Sequence, residues 1–324
     1  MAVVYFVPMS TPDDPYLSLL IPVYNEEANL RALWEELEAT LHALGVSWEV
    51  VFVDDGSQDK SGEVLRALHY AEPRIRVVRF VRNYGQQMAV TAGLRYCRGC
   101  AVVMMDADLQ TPAKHIPEFL ETLREGFDIV YGMRATRHGP LYRRLGTRLA
   151  NRFICFMTGF NIPDSASGFL ALDERLVRNV NMYNERSRYL SGMFAWLSYG
   201  RYTVIPVSRR DRLHGESKYT FYQLIRLVIN FATSFSTRPL RWPFAIAALP
   251  LALAAPVGWR ACRLFMEAGL QDSFIPALTC MFLLASALQL AAVGVIGHYA
   301  ASVYGDVRER PSYVISEILG EPSS

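Results

Sequence analysis

Two carboxylates and an amide follow the apolar run at residues 101–105 (AVVMM). They belong to Asp106, Asp108 and Gln110. Mg²⁺ and Mn²⁺ prefer hard oxygen ligands and usually take one or two protein carboxylates, while phosphate oxygens complete the coordination sphere. The spacing therefore indicates a site that holds Mg²⁺ or Mn²⁺ against a diphosphate. For an Asp-x-Asp pattern by itself, the alternative is a helix N-cap or a solvated turn.

The elements that position these side chains are predicted from apolar runs that alternate with helical patterns. Strands are predicted at residues 17–23, 49–53, 76–80 and 101–105, with a fifth at 129–131. Helices are predicted at residues 26–44, 60–71, 86–96 and 113–125. Strands that alternate with helices of this length are typical of βα units, so the fold class is α/β with a mostly parallel sheet.

Polar side chains follow each of the first four predicted strands. In chain order they are Tyr24, Asn25, Glu26 and Glu27, then Asp54, Asp55, Gly56 and Ser57, then Arg82 and Asn83, and finally Asp106, Asp108 and Gln110. Ligands of open α/β sheets bind outside the carboxyl ends of the strands, so these four clusters predict one site. Asp54 and Asp55 can accept hydrogen bonds from a base N–H or a ribose hydroxyl, while Asp106 and Asp108 take the diphosphate through the metal.

The sequence lacks the motifs of two common classes of nucleotide-binding protein. The first strand is not followed by G-x-G-x-x-G, and the chain has no Gly-Lys-Ser/Thr motif. A dinucleotide-dependent dehydrogenase and a P-loop NTPase are therefore disfavoured. A nucleotide joined to a diphosphate, on a chain that also has two long apolar runs at residues 242–259 and 274–297, favours transfer of a group from a nucleotide donor to a lipid.

The composition favours a membrane-associated protein over one that binds nucleic acid. Hydrophobic residues make up 51% of the 324 positions and collect after residue 240, and the formal net charge is +2. No basic block interleaved with aromatic residues precedes the C-terminal third, so no nucleic-acid partner is expected. Cys97 and Cys100 are the only close pair among five cysteines, and free thiols in a reducing cytosol are predicted rather than a zinc site. Residues 1–15 lack the pattern of a secretory signal.

Two uncharged apolar runs, at residues 242–259 and 274–297, predict membrane-spanning helices. Crossing a hydrocarbon core takes about 20 apolar residues, and a pair of buried helices in a soluble domain is the alternative. Basic residues flank the pair on its outer sides, with Arg260 and Arg263 as exceptions between the runs. The positive-inside rule therefore places both termini in the cytosol. Residues 218–235 carry a polar stripe at helical spacing, which predicts an interfacial helix rather than a core helix.

The chain is accordingly divided into five parts. These are an N-terminal extension (1–15), a cytosolic α/β domain (16–212), juxtamembrane interfacial helices (213–240), two membrane helices (241–303) and a cytosolic tail with a short strand (304–324). The tail at residues 311–318 is expected to add a strand to the sheet edge of a neighbouring subunit, which favours a homo-oligomer.

The polar blocks occur in an order that resembles family-2 inverting glycosyltransferases with a GT-A fold. The blocks are residues 21–27 (IPVYNEE), 53–57 (VDDGS), 82–86 (RNYGQ), 106–110 (DADLQ), 215–219 (GESKY) and the tail 304–311 (YGDVRERP). Together with the two spans they resemble polyprenyl-phosphate glycosyltransferases. That group includes the undecaprenyl-phosphate glucosyl and 4-deoxy-4-formamido-L-arabinose transferases and dolichyl-phosphate mannose synthase. The resemblance covers nearly the whole chain beyond the first 15 residues.

The resemblance implies roles for residues at matching positions. Pro22, Tyr24, Glu26 and Asp54 would surround the base and ribose, Asp106 would approach the donor sugar or diphosphate, and Asp108 and Gln110 would hold the metal. Arg134 and Arg148 would face the lipid phosphate, and Ser217 and Lys218 would lie near the diphosphate. For Arg148, a solvated surface charge is an equal alternative. The residues implied to act in catalysis are Asp106, Asp108 and Arg134.

The implied reaction moves one sugar from a nucleotide-sugar, a UDP-sugar in the first instance, to undecaprenyl phosphate at the bacterial inner membrane. The block 83–86 leans toward the formamido-arabinose transferases, and the product would serve cell-envelope glycan or lipid A modification. A GDP-mannose-dependent polyprenyl-phosphate mannose synthase is the alternative among enzymes. A processive polysaccharide synthase is disfavoured because its Gln-x-x-Arg-Trp block is missing. A membrane protein that binds nucleotide-sugars without catalysis is the alternative of another class.

Overall fold

The computed structural model describes one long stretch in the N-terminal half of the chain and several shorter ones beyond it. The described residues are 14–134, 152, 155, 166–183, 190–208, 210, 278, 281, 282, 285, 288, 289, 291–297, 299, 300, 303 and 311–320. The chain divides into two compact units. The first comprises residues 1–155, 159–221 and 311–324, and the second comprises residues 156–158 and 222–310. The fold and the site described below belong to the first unit.

An eight-stranded mixed sheet forms the centre of the first unit. Its strands are β1 (Leu17–Val23), β2 (Trp48–Asp54), β3 (Ile75–Phe80), β4 (Ala101–Met104), β5 (Ile129–Arg134), β6 (Ala166–Asp173), β7 (Tyr202–Val207) and β8 (Ile315–Leu319). Their spatial order is β7-β5-β6-β4-β1-β2-β3-β8. Every residue of β1 and β2 is buried, as expected for central parallel strands that are covered on both faces.

Helices follow the strands in the βα pattern that the sequence predicts. They are α1 (Leu30–Ala43), α2 (Ser61–Ala71), α3 (Gln86–Tyr96), α4 (Ile116–Arg124, after a 3-10 turn at Ala113–His115), α5 (Glu174–Met182) and α6 (Leu190–Leu197). In α1 the buried side chains include Leu30, Leu33, Leu37 and Leu41, which recur at the spacing of one helix face. Helix α3 packs on β1 and β2, and α4 packs on β4, β5 and β6. These layers fix the loops at the carboxyl ends of β1 to β4.

Strand direction departs from a simple parallel sheet at two places. Of the described strands, six run in one direction, while β6 and β8 pair antiparallel with their neighbours. Strand β6 lies between β4 and β5 and runs antiparallel to both. The prediction of an α/β fold with a mostly parallel sheet is confirmed in outline, and the two antiparallel strands make the sheet mixed.

The tail strand is present, but its partner differs from the expected one. Strand β8 pairs with β3 of its own chain, with Val77 opposite Leu319 and Arg79 opposite Glu317. The expectation that this segment adds to a neighbouring subunit's sheet is therefore wrong for this structure. The edge of β3 in the same chain forms hydrogen bonds with the backbone of β8, so this strand edge is covered without a second subunit. A homo-oligomer stays a prediction that this strand no longer supports.

The predicted membrane segments fall largely outside the described residues. Residues 218–235 and 242–259 lie wholly outside them, and the run 274–297 lies partly inside. Within the described part of the chain, no helix has both the length and the apolar character needed to cross a membrane. The described helical positions near the second run nevertheless expose large apolar side chains. They include Leu278, Phe282, Val293, Ile296 and Val303.

The cysteines that the structure describes are free thiols, as predicted. They are Cys97, Cys100 and Cys155. Burial raises the pKa of the Cys97 thiol well above its usual range, and the nearby Glu49 carboxylate adds to this effect. A thiol held in its neutral form is a poor nucleophile and a poor metal ligand. Cys97 lies between α3 and β4, at the amino ends of the strands.

Candidate functional site

A pocket of about 270 Å³ opens at the carboxyl ends of β1, β2 and β4 and at the start of α3. Its lining residues are Pro22, Val23, Tyr24, Glu26, Asp55, Asn83, Gly85, Gln86, Ala89, Asp106, Ala107 and Asp108. All four polar clusters that the sequence places after the strands contribute to it. The prediction that they converge on one site is therefore confirmed by the geometry.

Asp55 is fixed in the pocket wall by two backbone groups of the loop after β3. Tyr84 N–H donates to one carboxylate oxygen over 2.7 Å, and Gly85 N–H donates to the other over 2.8 Å. Burial raises the pKa of Asp55, and the neighbouring Asp54 charge acts in the same direction, against the lowering effect of the two N–H donors. The carboxylate thus joins the loops after β2 and β3 while facing the pocket.

Asp54 lies beneath the pocket rather than in its wall. Its side chain is fully buried, one oxygen accepts from Ser57 N–H over 2.8 Å, and the other is 3.0 Å from Arg79 Nε. Ser57 Oγ in turn accepts from Asn25 N–H over 3.0 Å. Asp54 therefore supports the loops after β1 and β2 from below, and its predicted direct contact with a base or ribose stays a prediction.

The loops after β1 and β2 are cross-linked by reciprocal hydrogen bonds. Glu26 N–H donates to Ser61 Oγ over 2.9 Å, and Lys60 N–H donates to a Glu27 oxygen over 2.8 Å. Gly56, at φ +67°, allows the loop after β3 to approach, because a Cβ there would lie 2.3 Å from the carbonyl carbon of Arg82. Such contacts hold the pocket wall that carries Pro22, Tyr24 and Glu26 in one arrangement.

Asp106 lies on the opposite side of the pocket, between α3 and β6. Gln86 Nε2 donates to Asp106 Oδ1 over 2.7 Å. Gly168 of β6 passes so close that a Cβ on it would lie 2.3 Å from Asp106 Oδ2. Neither Gln86 nor Gly168 is among the site residues predicted from the sequence. Gln86 lies in one of the quoted blocks, whereas nothing in the sequence alone marks Gly168 as a neighbour of Asp106.

The Gln110 side chain is the most unusual polar group near the pocket. Its exposed fraction is 3%, and neither its amide oxygen nor its amide nitrogen has a hydrogen-bond partner among the described residues. Leaving buried polar atoms unpaired costs about 1–3 kcal/mol of stability. A ligand that pairs with the Gln110 amide would remove this cost. Asp108 is held two residues away, with its Oδ1 accepting from Gln110 N–H over 3.1 Å.

These donors fit a hard divalent cation. Asp106, Asp108 and the amide oxygen of Gln110 are all oxygen ligands, and Mg²⁺ or Mn²⁺ completes such a partial set with ligand phosphates and water. In the described part of the chain, no group of three or more His, Cys, Asp or Glu side chains has the geometry to hold a metal by itself. The assignment of Asp106, Asp108 and Gln110 as metal ligands therefore stays a prediction.

The loop after Gln110 is fastened to the segment that leaves β7. Arg210 N–H donates to the Gln110 carbonyl over 2.9 Å, and its guanidinium pairs with Glu36 of α1 over 2.6 Å. Glu36 also accepts from Ala113 N–H over 2.8 Å. Arg210 thus ties the described segment after β7 to the loop that follows β4. The sequence does not indicate these contacts of Glu36, because its partners lie far away in the chain.

Several predicted site residues cannot be placed in the pocket. Arg134 ends β5, where it is in register with Val207 of β7. Arg148, Ser217 and Lys218 lie outside the described residues. Their assigned contacts with a lipid phosphate or a diphosphate therefore stay predictions.

Asp55→Asn is expected to destabilise the protein by about 1–3 kcal/mol, because one of the two backbone donors then faces an amide NH₂ instead of an acceptor. Asp128→Asn is the matched control. Burial also raises the pKa of Asp128, but its ion pair with Arg201 Nε is 3.9 Å long, so the loss there is expected below about 1 kcal/mol. Denaturant unfolding of both variants measures the difference. Equal losses would contradict the anchoring role of Asp55.

The chain is similar in sequence to known glycosyltransferases. A family profile described as Glycosyl transferase family 2 matches residues 18–179. An uncharacterized glycosyltransferase of Synechocystis sp. is 34% identical over 309 residues, which cover 94% of this chain and 96% of that protein. The undecaprenyl-phosphate 4-deoxy-4-formamido-L-arabinose transferase of Pseudomonas aeruginosa is 35% identical over 318 residues, which cover 94% and 90%. Glucosyl-3-phosphoglycerate synthase of Mycobacterium tuberculosis has a similar structure, with a TM-score of 0.49 and 19% identity over 68% of this chain and 80% of that one.

Proposed function

The chain belongs to glycosyl transferase family 2, and on this basis we propose that it moves one sugar from a UDP-sugar to undecaprenyl phosphate with inversion. The observation that carries the proposal is the two-sided pocket. Asp55 forms one wall, and Asp106 and Asp108 form the other. The buried Gln110 amide, which has no hydrogen-bond partner among the described residues, follows Asp108 by two residues. A nucleoside on the first side and a diphosphate on the second match this division. The relative named for an undecaprenyl-phosphate substrate supports the acceptor.

The nucleoside is assigned to the wall built from β1 and β2. Pro22, Tyr24, Glu26 and Asp55 line this wall. Pro22 supplies an apolar ring, Tyr24 supplies an aromatic face, and the two carboxylates can accept hydrogen bonds. Both Asp55 oxygens already accept one backbone N–H, and each oxygen retains a further lone pair for a base N–H or ribose hydroxyl. Asp54 acts from below by holding the loop at Ser57.

The diphosphate is assigned to the wall that carries the metal ligands. Asp106, Asp108 and Gln110 would hold Mg²⁺ or Mn²⁺, which supplies positive charge for the leaving nucleoside diphosphate. Gln86 fixes the orientation of the Asp106 carboxylate through its 2.7 Å hydrogen bond. Both carboxylates lie in the loop that follows the strand β4 (Ala101–Met104), and a strand supports such a loop in the way that catalytic geometry requires.

The acceptor needs orientation more than activation. A phosphomonoester has a second pKa near 6, so it is largely a dianion at neutral pH and attacks without a general base. Two anions must then be brought together, which is a task for basic side chains. Arg134, Arg148, Ser217 and Lys218 are assigned to it from their motif positions, with Arg134 at the end of β5 on the far side of β6 from β4.

The proposed location is the bacterial cytoplasmic membrane. The apolar runs 242–259 and 274–297 supply two spans, with the catalytic domain and both termini on the cytosolic side. Large apolar side chains are exposed at described positions of residues 278–303. Exposed apolar surface is a feature of membrane or protein interfaces, which supports this placement. The part boundaries 1–15, 16–212, 213–240, 241–303 and 304–324 belong to the same proposal.

The experiment that tests the proposal measures nucleoside diphosphate release by the detergent-purified full-length protein. UDP- and GDP-sugars are compared, with Mg²⁺ or Mn²⁺ and with or without undecaprenyl phosphate. Release is expected only when a UDP-sugar and the lipid phosphate are both present. Release that ignores the lipid would remove the acceptor assignment, and release from GDP-mannose alone would favour a mannose synthase. Donor binding without release would favour a non-catalytic role.

A further inference from the structure

The tail strand β8 is clamped to the sheet by a bidentate ion pair. Arg66 of α2 donates through Nε to Glu317 over 3.0 Å and through its terminal nitrogen over 2.7 Å. The hydrogen bonds from Arg66 lower the pKa of the Glu317 carboxyl, and the nearby Arg79 charge acts in the same direction. Bidentate pairs of this kind fix geometry better than a single contact does. Glu317 thus lies between two guanidinium groups.

The second of these guanidinium groups, that of Arg79, contacts Asp54 beneath the pocket. Arg79 is in register with Glu317 across the β3–β8 pair, and its Nε lies 3.0 Å from the buried Asp54 carboxylate. Charges therefore alternate along the path Arg66, Glu317, Arg79 and Asp54. Asp54 in turn orders the loop after β2 through Ser57 N–H.

Aromatic stacking connects the same tail segment to the loop that holds Asp55. Tyr313 stacks on Phe80 with centroids 5.0 Å apart and an interplanar angle of 16°. Phe80 makes an edge-to-face contact with Tyr84 at 5.7 Å. Tyr84 N–H is one of the two donors to Asp55. The tail therefore reaches both aspartates of the second block, Asp54 through charge and Asp55 through packing.

We propose that Glu317 is a positioning residue for the donor-nucleotide site. Its negative charge lets the positively charged Arg66 and Arg79 side chains lie close together, so that Arg79 keeps its contact with Asp54. The inference rests on the proposed function in that it assigns the pocket a nucleotide. Without the Glu317 charge, the two guanidinium groups repel each other, and Arg79 is displaced from Asp54.

The test uses titration of UDP and GDP, with Mn²⁺, into full-length detergent-purified protein. Glu317→Gln keeps the size of the side chain and is expected to raise the Kd of the nucleoside diphosphate about 3- to 10-fold. Its kcat at saturating donor is expected to stay within about twofold of the wild-type value, because a positioning role affects the KM for the donor more than turnover. Arg66→Gln/Glu317→Gln is expected to return the Kd to within about twofold of wild type, since removing the second charge ends the repulsion.

Glu72→Gln is the matched control. Glu72 makes a bidentate pair with Arg74 at 2.7 and 2.8 Å, two residues away and at the opposite end of β3. Its loss lowers stability without touching the charge path, so nucleotide Kd is expected to match wild type. An unchanged Kd in Glu317→Gln, or a double variant weaker than the single one, would overturn the inference and leave the clamp with a structural role. If the wild type bound neither UDP nor GDP, the proposed function would fail together with it.

Discussion

Asp108→Asn is expected to lower turnover by about 10²- to 10⁴-fold, because a metal's charge stabilisation contributes several kcal/mol to the transition state. Asp108 lines the pocket in the loop that follows β4, and its substitution removes a negative ligand from the proposed metal site. The Oδ1 atom of an asparagine can still accept from Gln110 N–H. The free energy of unfolding is therefore expected to change by less than about 1 kcal/mol. Steady-state release of nucleoside diphosphate and denaturant unfolding measure the two quantities.

A second readout separates metal loss from other causes of inactivity. Mn²⁺ affinity, measured by titration in the presence of the nucleoside diphosphate, is expected to fall at least about tenfold in Asp108→Asn, as for loss of a direct ligand. Asp128→Asn is the control, because Asp128 precedes β5 at the opposite end of the sheet and takes no part in the pocket. Near-normal activity together with unchanged Mn²⁺ affinity in Asp108→Asn would show that the metal assignment is wrong.

Local signals in the sequence account for the elements that could be predicted. The apolar run 17–23 is confirmed at both ends as β1, and the helical pattern 86–96 is confirmed at both ends as α3. Each signal is complete within its own segment, since a buried strand or an amphipathic helix is encoded by the spacing of its apolar residues. The helix predicted at 26–44 begins later, at Leu30, because residues 24–29 are used by the site loop.

Strand pairing and strand insertion are not encoded in the same local way. The predicted strands did not include β6 and β7, and the sequence of β8 does not state which edge it joins. Backbone hydrogen bonds form with any strand of suitable direction, so the choice of β3 depends on distant contacts. The bidentate pair between Arg66 and Glu317 joins residues 251 positions apart, a separation at which no spacing rule operates.

The place of the candidate site in the fold was predicted, but the different positions of its two neighbouring aspartates were not. Strand ends predicted that four polar clusters meet, which the pocket confirms. Asp54 and Asp55 were given one shared role, whereas the structure puts Asp54 below the pocket and Asp55 in its wall. The alternation of side chains along an extended strand accounts for this difference, because successive residues point to opposite faces.

Gly168→Ala is expected to lower kcat about 100-fold, because a displacement of roughly 1 Å at a reacting group has an effect of that size. The added Cβ would lie 2.3 Å from Asp106 Oδ2 and 2.8 Å from Asp106 Cγ. The carboxylate must therefore rotate away, which breaks its hydrogen bond with Gln86. The contacts are all with the end of one side chain, so the fold is expected to lose less than about 1.5 kcal/mol.

Gly56→Ala provides the contrast that makes this result interpretable. There the added Cβ would meet backbone atoms of Arg82 and Asn83, at a residue with φ +67°, and neither can move aside. That variant is expected to lose about 2–4 kcal/mol of stability through left-handed strain and overpacking. Denaturant unfolding and kcat measured on both variants distinguish the two modes of damage. If Gly168→Ala retained wild-type kcat, the position of the Asp106 carboxylate in this structure would not be the one used in catalysis. If it unfolded as readily as Gly56→Ala, Gly168 would belong to the packing of β6 rather than to the geometry of the active site.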